Sequence, residues 1–286
     1  MNTRTFRAMN TEWWLGTAGA PIDLDPIEAM VHAAEARYSR FLRDSALSRL
    51  NRERRIRDAA LASLVRHALA MHEATREAFD VRVGAALNAA GYDRTFEALA
   101  HRGAATLTFA PATTALRVDV RGDDIRLLGS GTLDLGGIAK GWTVDRVAEA
   151  IERAGCHNYL VDGGGDIRAA GLDDRGAPWV VGVGEGLAIG LQEAAVCTSS
   201  TRRRRWRAPG EDAHHIIDPA TGAPSRHDIA EAVVVASDAT TADVLATTII
   251  ADPERGLSSA RAMGAEALVL RAGQWEMTEG MKRWLI

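Results

Sequence analysis

The chain has 286 residues, of which 47% are hydrophobic and 25% charged, and its formal net charge is −4. That balance predicts one large globular domain, or two intimately packed halves, around a sizeable core. It excludes a basic nucleic-acid binder, and two cysteines in unrelated contexts, Cys156 and Cys197, argue against a disulfide framework or a cysteine zinc site. No stretch is apolar enough over its length to span a membrane. The N-terminal MNTRTFRAMNTEWWLGTAGAP has no long apolar run and no lipoprotein-type cysteine, so the expectation is a cytoplasmic protein without stable membrane insertion.

In chain order, residues 4–18 alternate loosely around Trp13 and Trp14 and predict a first strand. Residues 26–38 place Ile27, Met30, Val31, Ala34 and Tyr38 at helical spacing, and Pro26 suits the first turn. DSALSRLNRE predicts a short helix capped by Asp44 or Ser45. A longer helix is expected over 57–78, and a helical stretch interrupted by Gly91 over 84–100. Short strands follow within 102–131, LRVDV being the clearest. GTLDLGGIAKGWTVDRVAEAIERAG predicts a strand, a glycine turn and a helix with Val144, Val147, Ala148 and Ile151 on one face, stopped at Gly155. HNYLVD and IRAAG predict strands around a GGGD turn, and WVVGV, LAIGL, AAVCT, HHIID and IAEAVVVAS predict more. Helices over 240–249 and 253–262 and a final hairpin, EALVLRAG with QWEMTEG, complete the chain. Without regular βαβ alternation, the expected class is α+β with antiparallel sheet. No linker or repeat divides the chain, so 1–286 is expected to be a single domain, at most two packed subdomains.

Four segments carry chemistry. DLGGIAKG (134–141) sets two glycines, a carboxylate and Lys140 at a strand-to-helix junction, where backbone N–H groups and the helix end can meet an anion. The alternative is a tight turn with a surface lysine. Only Lys140 and Lys282 are lysines among 34 basic residues, which hints that an ammonium is wanted at 140, since a guanidinium does not replace it. VDGGGDIRAAG (161–171) is either a hairpin turn needing positive φ or a backbone that lets a ligand come close. In HHIIDPATG (214–222), a strand would send His214 and His215 to opposite faces. A neutral imidazole there suits proton removal from a hydroxyl, or is a satisfied structural histidine; Asp218 orients it or caps the turn. TTADVLATT (240–248) puts Asp243 and Thr247 at i and i+4, hard oxygen donors suited to magnesium, or simply a polar helix face.

Taken in order, these segments resemble the FAD:protein FMN transferase family (ApbE-type flavin transferases). FRAMNT (6–11) is similar to that family's opening Met-Gly-Thr strand, and SRFLRDSALSRLN (39–51) to its Ser-x-x-x-x-x-Ser-x-x-x-x-x-Asn segment. AFDVRVGAALNAAGYD (78–93) is similar to its Phe-Asp-x-Thr-Val-Gly-Pro segment; DLGGIAKG, GGGD, CTSS (197–200), HHIIDPATG and ADVLAT (242–247) follow in the expected order. Asn10 and Ser200 stand where the family has glycine.

The resemblance implies a T-fold-like arrangement of antiparallel sheets and packed helices, with an FAD cleft between the two halves. It implies FAD contacts from Met9, Phe41, Ala78, Phe79, Asp80, Asp134, Lys140, Thr198 and Ile217. It places Mg2+ on the Gly137 carbonyl, Asp243 and Thr247, and makes His215 the base or a group that helps position it. The implied reaction is Mg2+-dependent transfer of FMN from FAD to a Thr or Ser hydroxyl of an acceptor flavoprotein, with release of AMP. FAD pyrophosphatase activity would use the same groups; a non-catalytic FAD-binding or storage protein would not need His215, Asp243 and Thr247 intact. The arginine run 202–205 reads as a solvated edge, or as a contact for an acidic acceptor or the AMP phosphate.

Overall fold

The computed structural model describes residues 1–99, 115–184, 186–202, 204–208 and 211–286. The expected first strand is a hairpin. β1 (Asn2–Ala8) pairs antiparallel with β2 (Thr11–Thr17), and Met9 and Asn10 between them take φ of 52° and 61°. Consecutive positive φ values make a two-residue hairpin turn, usually announced by Asn-Gly or Asp-Gly. With no glycine there, the alternation reads through as one strand.

Six further strands extend the ribbon: β3 (Tyr159–Asp162), β4 (Asp166–Ala170), β5 (Glu193–Ser200), β6 (Ile229–Ala236), β7 (Glu266–Arg271) and β8 (Gln274–Met277). The eight strands are antiparallel to their neighbours and lie side by side in chain order. In such a meander every second connection returns to the same end. The Met9–Asn10 turn, the glycines 163–165 and the last residues of β5 therefore meet: Thr198 N donates to Gly165 O at 3.1 Å, and the Thr11 side chain fills the space a Cβ on Gly164 would need.

The helices are α1 (Asp25–Tyr38), α2 (Ala46–Glu53), α3 (Ala59–Ala74), α4 (Gly84–Ala89), α5 (Phe96–Leu99), α6 (Ala139–Arg153), α7 (Ala239–Ala251) and α8 (Pro253–Ala262). Alternating side chains split the sheet between two cores. Ala195, Cys197, Ala232 and Val234 join the cluster with Val31, Val144, Leu245 and Ile249 from α1, α6 and α7. Val196, Val233 and Val235 pack instead with Trp179, Ile189 and Leu191 of the ribbon Trp179–Gly182 and Ala188–Leu191. A separate core joins α2 and α3 to the three-stranded sheet of Arg55–Arg57, Asp124–Gly129 and Leu116–Arg121.

Local signals explain the helix starts. Ser45, not Asp44, caps α2 by accepting from Ser48 N at 2.9 Å, and Asp58 accepts from Leu61 N, so α3 starts after it and not at 57. Gly91, at φ 88°, separates α4 from α5. The strand expectations at 102–114 lie outside the described residues. The strand expected in GTLDL does not form: the Asn51 side chain accepts from Leu133 N at 2.8 Å and donates to Leu133 O at 2.9 Å, standing in for a neighbouring strand. HHIID is not one strand either. Glu211–His214 pairs with Arg205–Ala208 and Ile217–Asp218 with Ala223–Pro224, with a bend at His215.

Helices α6 and α7 cross closely. A Cβ on Gly141 would lie 2.4 Å from Ala239 O and 2.8 Å from Asp243 Cβ. Its backbone N–H reaches Asp243 Oδ2 at 3.1 Å. Four residues on, the buried Asp145 accepts from Ala239 N at 2.9 Å, Thr240 N at 2.8 Å and Arg168 Nη1 at 2.8 Å, and from the Thr240 hydroxyl. Gly141→Ala should therefore push the helices apart and cost about 1–3 kcal/mol, the usual penalty of overpacking. Urea denaturation checks this; unchanged stability would show that the helices part freely here.

Candidate active site

A cavity of about 320 Å3 lies at the end of the sheet where the Met9–Asn10 turn, Gly164 and Thr198–Ser200 meet. Of the residues named from sequence, Met9, Phe41, Ala78, Phe79, Asp80 and Asp134 line it from the β1–β2 turn and the helical half. Gly137, Lys140, Thr198, His215, Ile217, Asp243 and Thr247 line it as well. Only Asp218 is not brought there. Its carboxylate accepts from Ala220 N at 2.9 Å and from the Thr221 hydroxyl at 3.0 Å, capping the Pro-x-Thr-Gly turn. Of its two expected roles, the turn takes both oxygens.

The acidic side is built on α7. Asp243 is 4% exposed, and burial, followed by the neighbouring Asp166 carboxylate, pushes its carboxyl up to about 7. Lys140 forms an ion pair with Asp166. Burial works to lower the Lys140 ammonium, but Asp166 and Asp243 outweigh it and hold it above its ordinary value. One turn after Asp243, the Thr247 hydroxyl lies 3.1 Å from Ser199 Oγ. The Gly137 backbone comes close: a Cβ there would sit 3.5 Å from Thr247 Oγ1.

This donor set fits magnesium. A buried carboxylate short of positive charge, a hydroxyl and a main-chain carbonyl are hard oxygen donors. Among the described residues, no group of three or more His, Cys, Asp or Glu side chains could hold a metal unaided. Magnesium commonly completes its shell with water and substrate phosphate, so a sparse protein set is what it uses.

His215 sits at the bend, half-buried, with its Nδ1 shielded from solvent and making no hydrogen bond among the described residues. Burial, then the charges of Arg204 and His214, keep the imidazole well below its ordinary value, so it is neutral at pH 7. His214 is engaged elsewhere: Nε2 donates to Ser225 O at 2.9 Å and Nδ1 accepts from Ile216 N at 3.3 Å. The strand-face argument for separating the two histidines does not apply, because the strand ends at His214. The bend and His214's two partners, not alternate strand faces, set the two imidazoles apart.

Several wall residues escaped the sequence reading. Arg40 Nε lies 2.5 Å from Asp134 Oδ2, and its guanidinium sits 4.3 Å over the Phe41 ring. Phe41 meets Tyr92 edge-on at 5.5 Å, and Tyr92 stacks on Trp206 at 5.4 Å. Glu35 accepts from Met9 N at 2.9 Å and so fixes the strained turn. Asp80 is not free to meet a ligand alone, since Arg82 Nη2 holds it at 2.8 Å. Asp166 closes the GGGD motif, Ser199 lies in CTSS and Arg40 in SRFLRDSALSRLN, so all three were within segments already singled out; Glu35 had no such signal.

A family model described as the ApbE family matches residues 9–269. A Haemophilus influenzae protein named FAD:protein FMN transferase is 32% identical over 248 residues, covering 78% of this chain and 70% of its own. A Vibrio cholerae protein of the same name is 29% identical over 259 residues, covering 85% and 78%. Among solved structures, an ApbE protein from Thermotoga maritima superposes with a TM-score of 0.84 at 26% identity, over 99% of this chain and 98% of that one. The flavin transferase ApbE from Vibrio cholerae gives 0.80 at 24% identity, over 99% of each. The expected antiparallel α+β fold is thus the fold of these proteins, and the chain belongs to the ApbE family.

Proposed function

We propose that the cavity takes FAD as a substrate and transfers its FMN half to a Thr or Ser hydroxyl of an acceptor flavoprotein, with AMP as the other product. The observation that carries this reading is the convergence of Asp243, Thr247, Lys140 and a neutral, half-buried His215 on one cavity. The names of the relatives point the same way. We also read residues 1–286 as one catalytic domain, because the cavity draws on both the sheet and the helical half.

The acceptor oxygen attacks the FMN-side phosphorus in line with the bridging oxygen. The bond from that phosphorus to the bridge breaks, and AMP leaves with the bridging oxygen. FMN is left joined to the acceptor by a phosphoester bond. His215 takes the hydroxyl proton, for which a neutral imidazole is the required form, and passes it on to AMP or water. A magnesium ion on the Gly137 carbonyl, Asp243 and Thr247 would supply positive charge to the phosphate oxygens. Lys140, anchored by Asp166, adds a fixed cation. Phe41 and Phe79 offer ring faces to a planar heterocycle, while Met9, Ala78, Thr198 and Ile217 shape the walls around it. The acceptor hydroxyl belongs on an exposed loop, since it must enter the cavity.

Incubation with FAD, Mg2+ and candidate flavoprotein domains should give covalent flavin fluorescence in a denaturing gel and equimolar AMP. AMP with only free FMN would make the chain a pyrophosphatase instead. Asp243→Ala should abolish both Mg2+-dependent AMP release and any Mg2+-induced rise in Tm; near wild-type release would dismiss the metal assignment. His215→Ala should lower the transfer rate by about 10²–10⁴-fold, the range for a lost general base. His214→Ala should chiefly lower stability, and the reverse ranking would shift the base to His214. The pH profile carries a sign. Because the His215 value is lowered, its basic form persists below pH 6.5, so at saturating Mg2+ the acid limb of kcat/KM should lie below 6.5. An acid limb above pH 7 that vanishes in His215→Gln would contradict the burial argument.

A further inference from the structure

Resting on the reading of the cavity as a pyrophosphate site, we propose that Arg204 is a further catalytic residue, whose guanidinium fork binds the substrate pyrophosphate and offsets charge growing on the leaving AMP phosphate. The arginine run does not act as a unit. Arg202 and Arg205 are exposed, Arg203 lies outside the described residues, and Arg204 is partly buried in the cavity wall. The ribbon explains its position. Arg205 pairs with His214, so one residue back Arg204 comes alongside His215. Cation and base are thus delivered together by neighbouring backbone.

Charge accounting separates Arg204 from the other arginines of this region. Arg40 is taken by Asp134 and Arg82 by Asp80. Among the described residues no carboxylate forms an ion pair with Arg204, yet its charge is felt at Lys140, His215 and Asp243. At the reaction centre the cations Lys140 and Arg204 balance the anions Asp166 and Asp243. A divalent ion on Asp243 then leaves a surplus of two positive charges, which matches the two negative charges of a pyrophosphate diester. Without Arg204 the surplus falls to one, and the substrate brings a charge that a partly desolvated cavity compensates poorly. A guanidinium suits the task because its planar fork spans two phosphate oxygens.

The test measures AMP release from FAD at saturating Mg2+ in the full chain, with and without an acceptor flavoprotein domain. Arg204→Gln should lower kcat/KM by about 10²–10³-fold, as removal of a transition-state donor does elsewhere, while the Mg2+-induced rise in Tm persists. Arg204→Lys should fall about tenfold, because an ammonium keeps the charge and loses the fork. Millimolar guanidinium should restore part of the Arg204→Ala rate, a response that a structural role would not give. Arg202→Gln, on the exposed edge, should leave the rate unchanged. If wild-type chain releases no AMP, the reading of the site itself fails before any variant is compared. If wild-type turns over FAD and Arg204→Gln keeps its rate, only the role of Arg204 is overturned. Should the glutamine variant not fold, a wild-type rate in Arg204→Lys or absence of guanidinium rescue overturns it equally.

Discussion

The close crossing of α6 and α7 decides where the charges of the cavity lie. Glycine at 141 lets the helices meet backbone to side chain, and Asp145 anchors the start of α7 through two main-chain N–H groups and a hydroxyl. The arrangement distributes three buried carboxylates unequally. Asp145 is saturated by its donors and by Arg168, and Asp166 is paired with Lys140. Asp243 receives one main-chain N–H, from Gly141, but burial and then the facing Asp166 outweigh it and hold the proton on its carboxyl. A buried carboxylate left short of positive charge is costly by itself and becomes favourable once a cation arrives. Hydrogen bonds made elsewhere thus leave Asp243 as the one of the three without an ion-pair partner.

The sheet supplies the rest by geometry. An antiparallel meander in chain order sends its odd-numbered connections to one end. Met9–Asn10, glycines 163–165 and the Thr198–Ser200 end of β5 arrive together without any of them being close in sequence. The helices approach the same end from one face of the sheet, so Lys140, Asp243 and Thr247 complete a wall begun by the turns. Sheet and helices must both be in place before the donor set exists.

Legibility in the sequence followed how local each signal is. Pro26, Ser45 and the face of Val144, Val147, Ala148 and Ile151 act within a few residues, and the corresponding helices form where they were expected. The misses have long-range causes. Asn51 replaces a strand next to Leu133 from 82 positions away, and no window over either segment contains that information. The Met9–Asn10 turn is held by Glu35, again distant in sequence, so non-glycine residues stay at positive φ without the usual marker. The site shows the same division. Glu35 lies outside every motif and acts through a partner that only the fold brings near, and Arg40, though inside a motif, owes its role to the distant Asp134. Asp218 went the other way: of the two roles its sequence context left open, local turn-capping took both oxygens.

The lysine at 140 follows from the same constraints. In a chain that otherwise uses arginine, Lys282 is exposed, where either cation serves. Lys140 stands in the first turn of α6, directly before the glycine at which α7 comes closest, and its ammonium must reach Asp166 from there. A guanidinium is broader and planar and presents its donors as a fork, so it does not replace a compact ammonium. It also binds carboxylate in two-point fashion, which would engage Asp166 more fully and leave less of the cation facing the cavity. A compact ammonium with three donors can hold Asp166 with one and keep the others for a phosphate oxygen. The compact ammonium thus holds Asp166 beside the crossing while still facing the cavity.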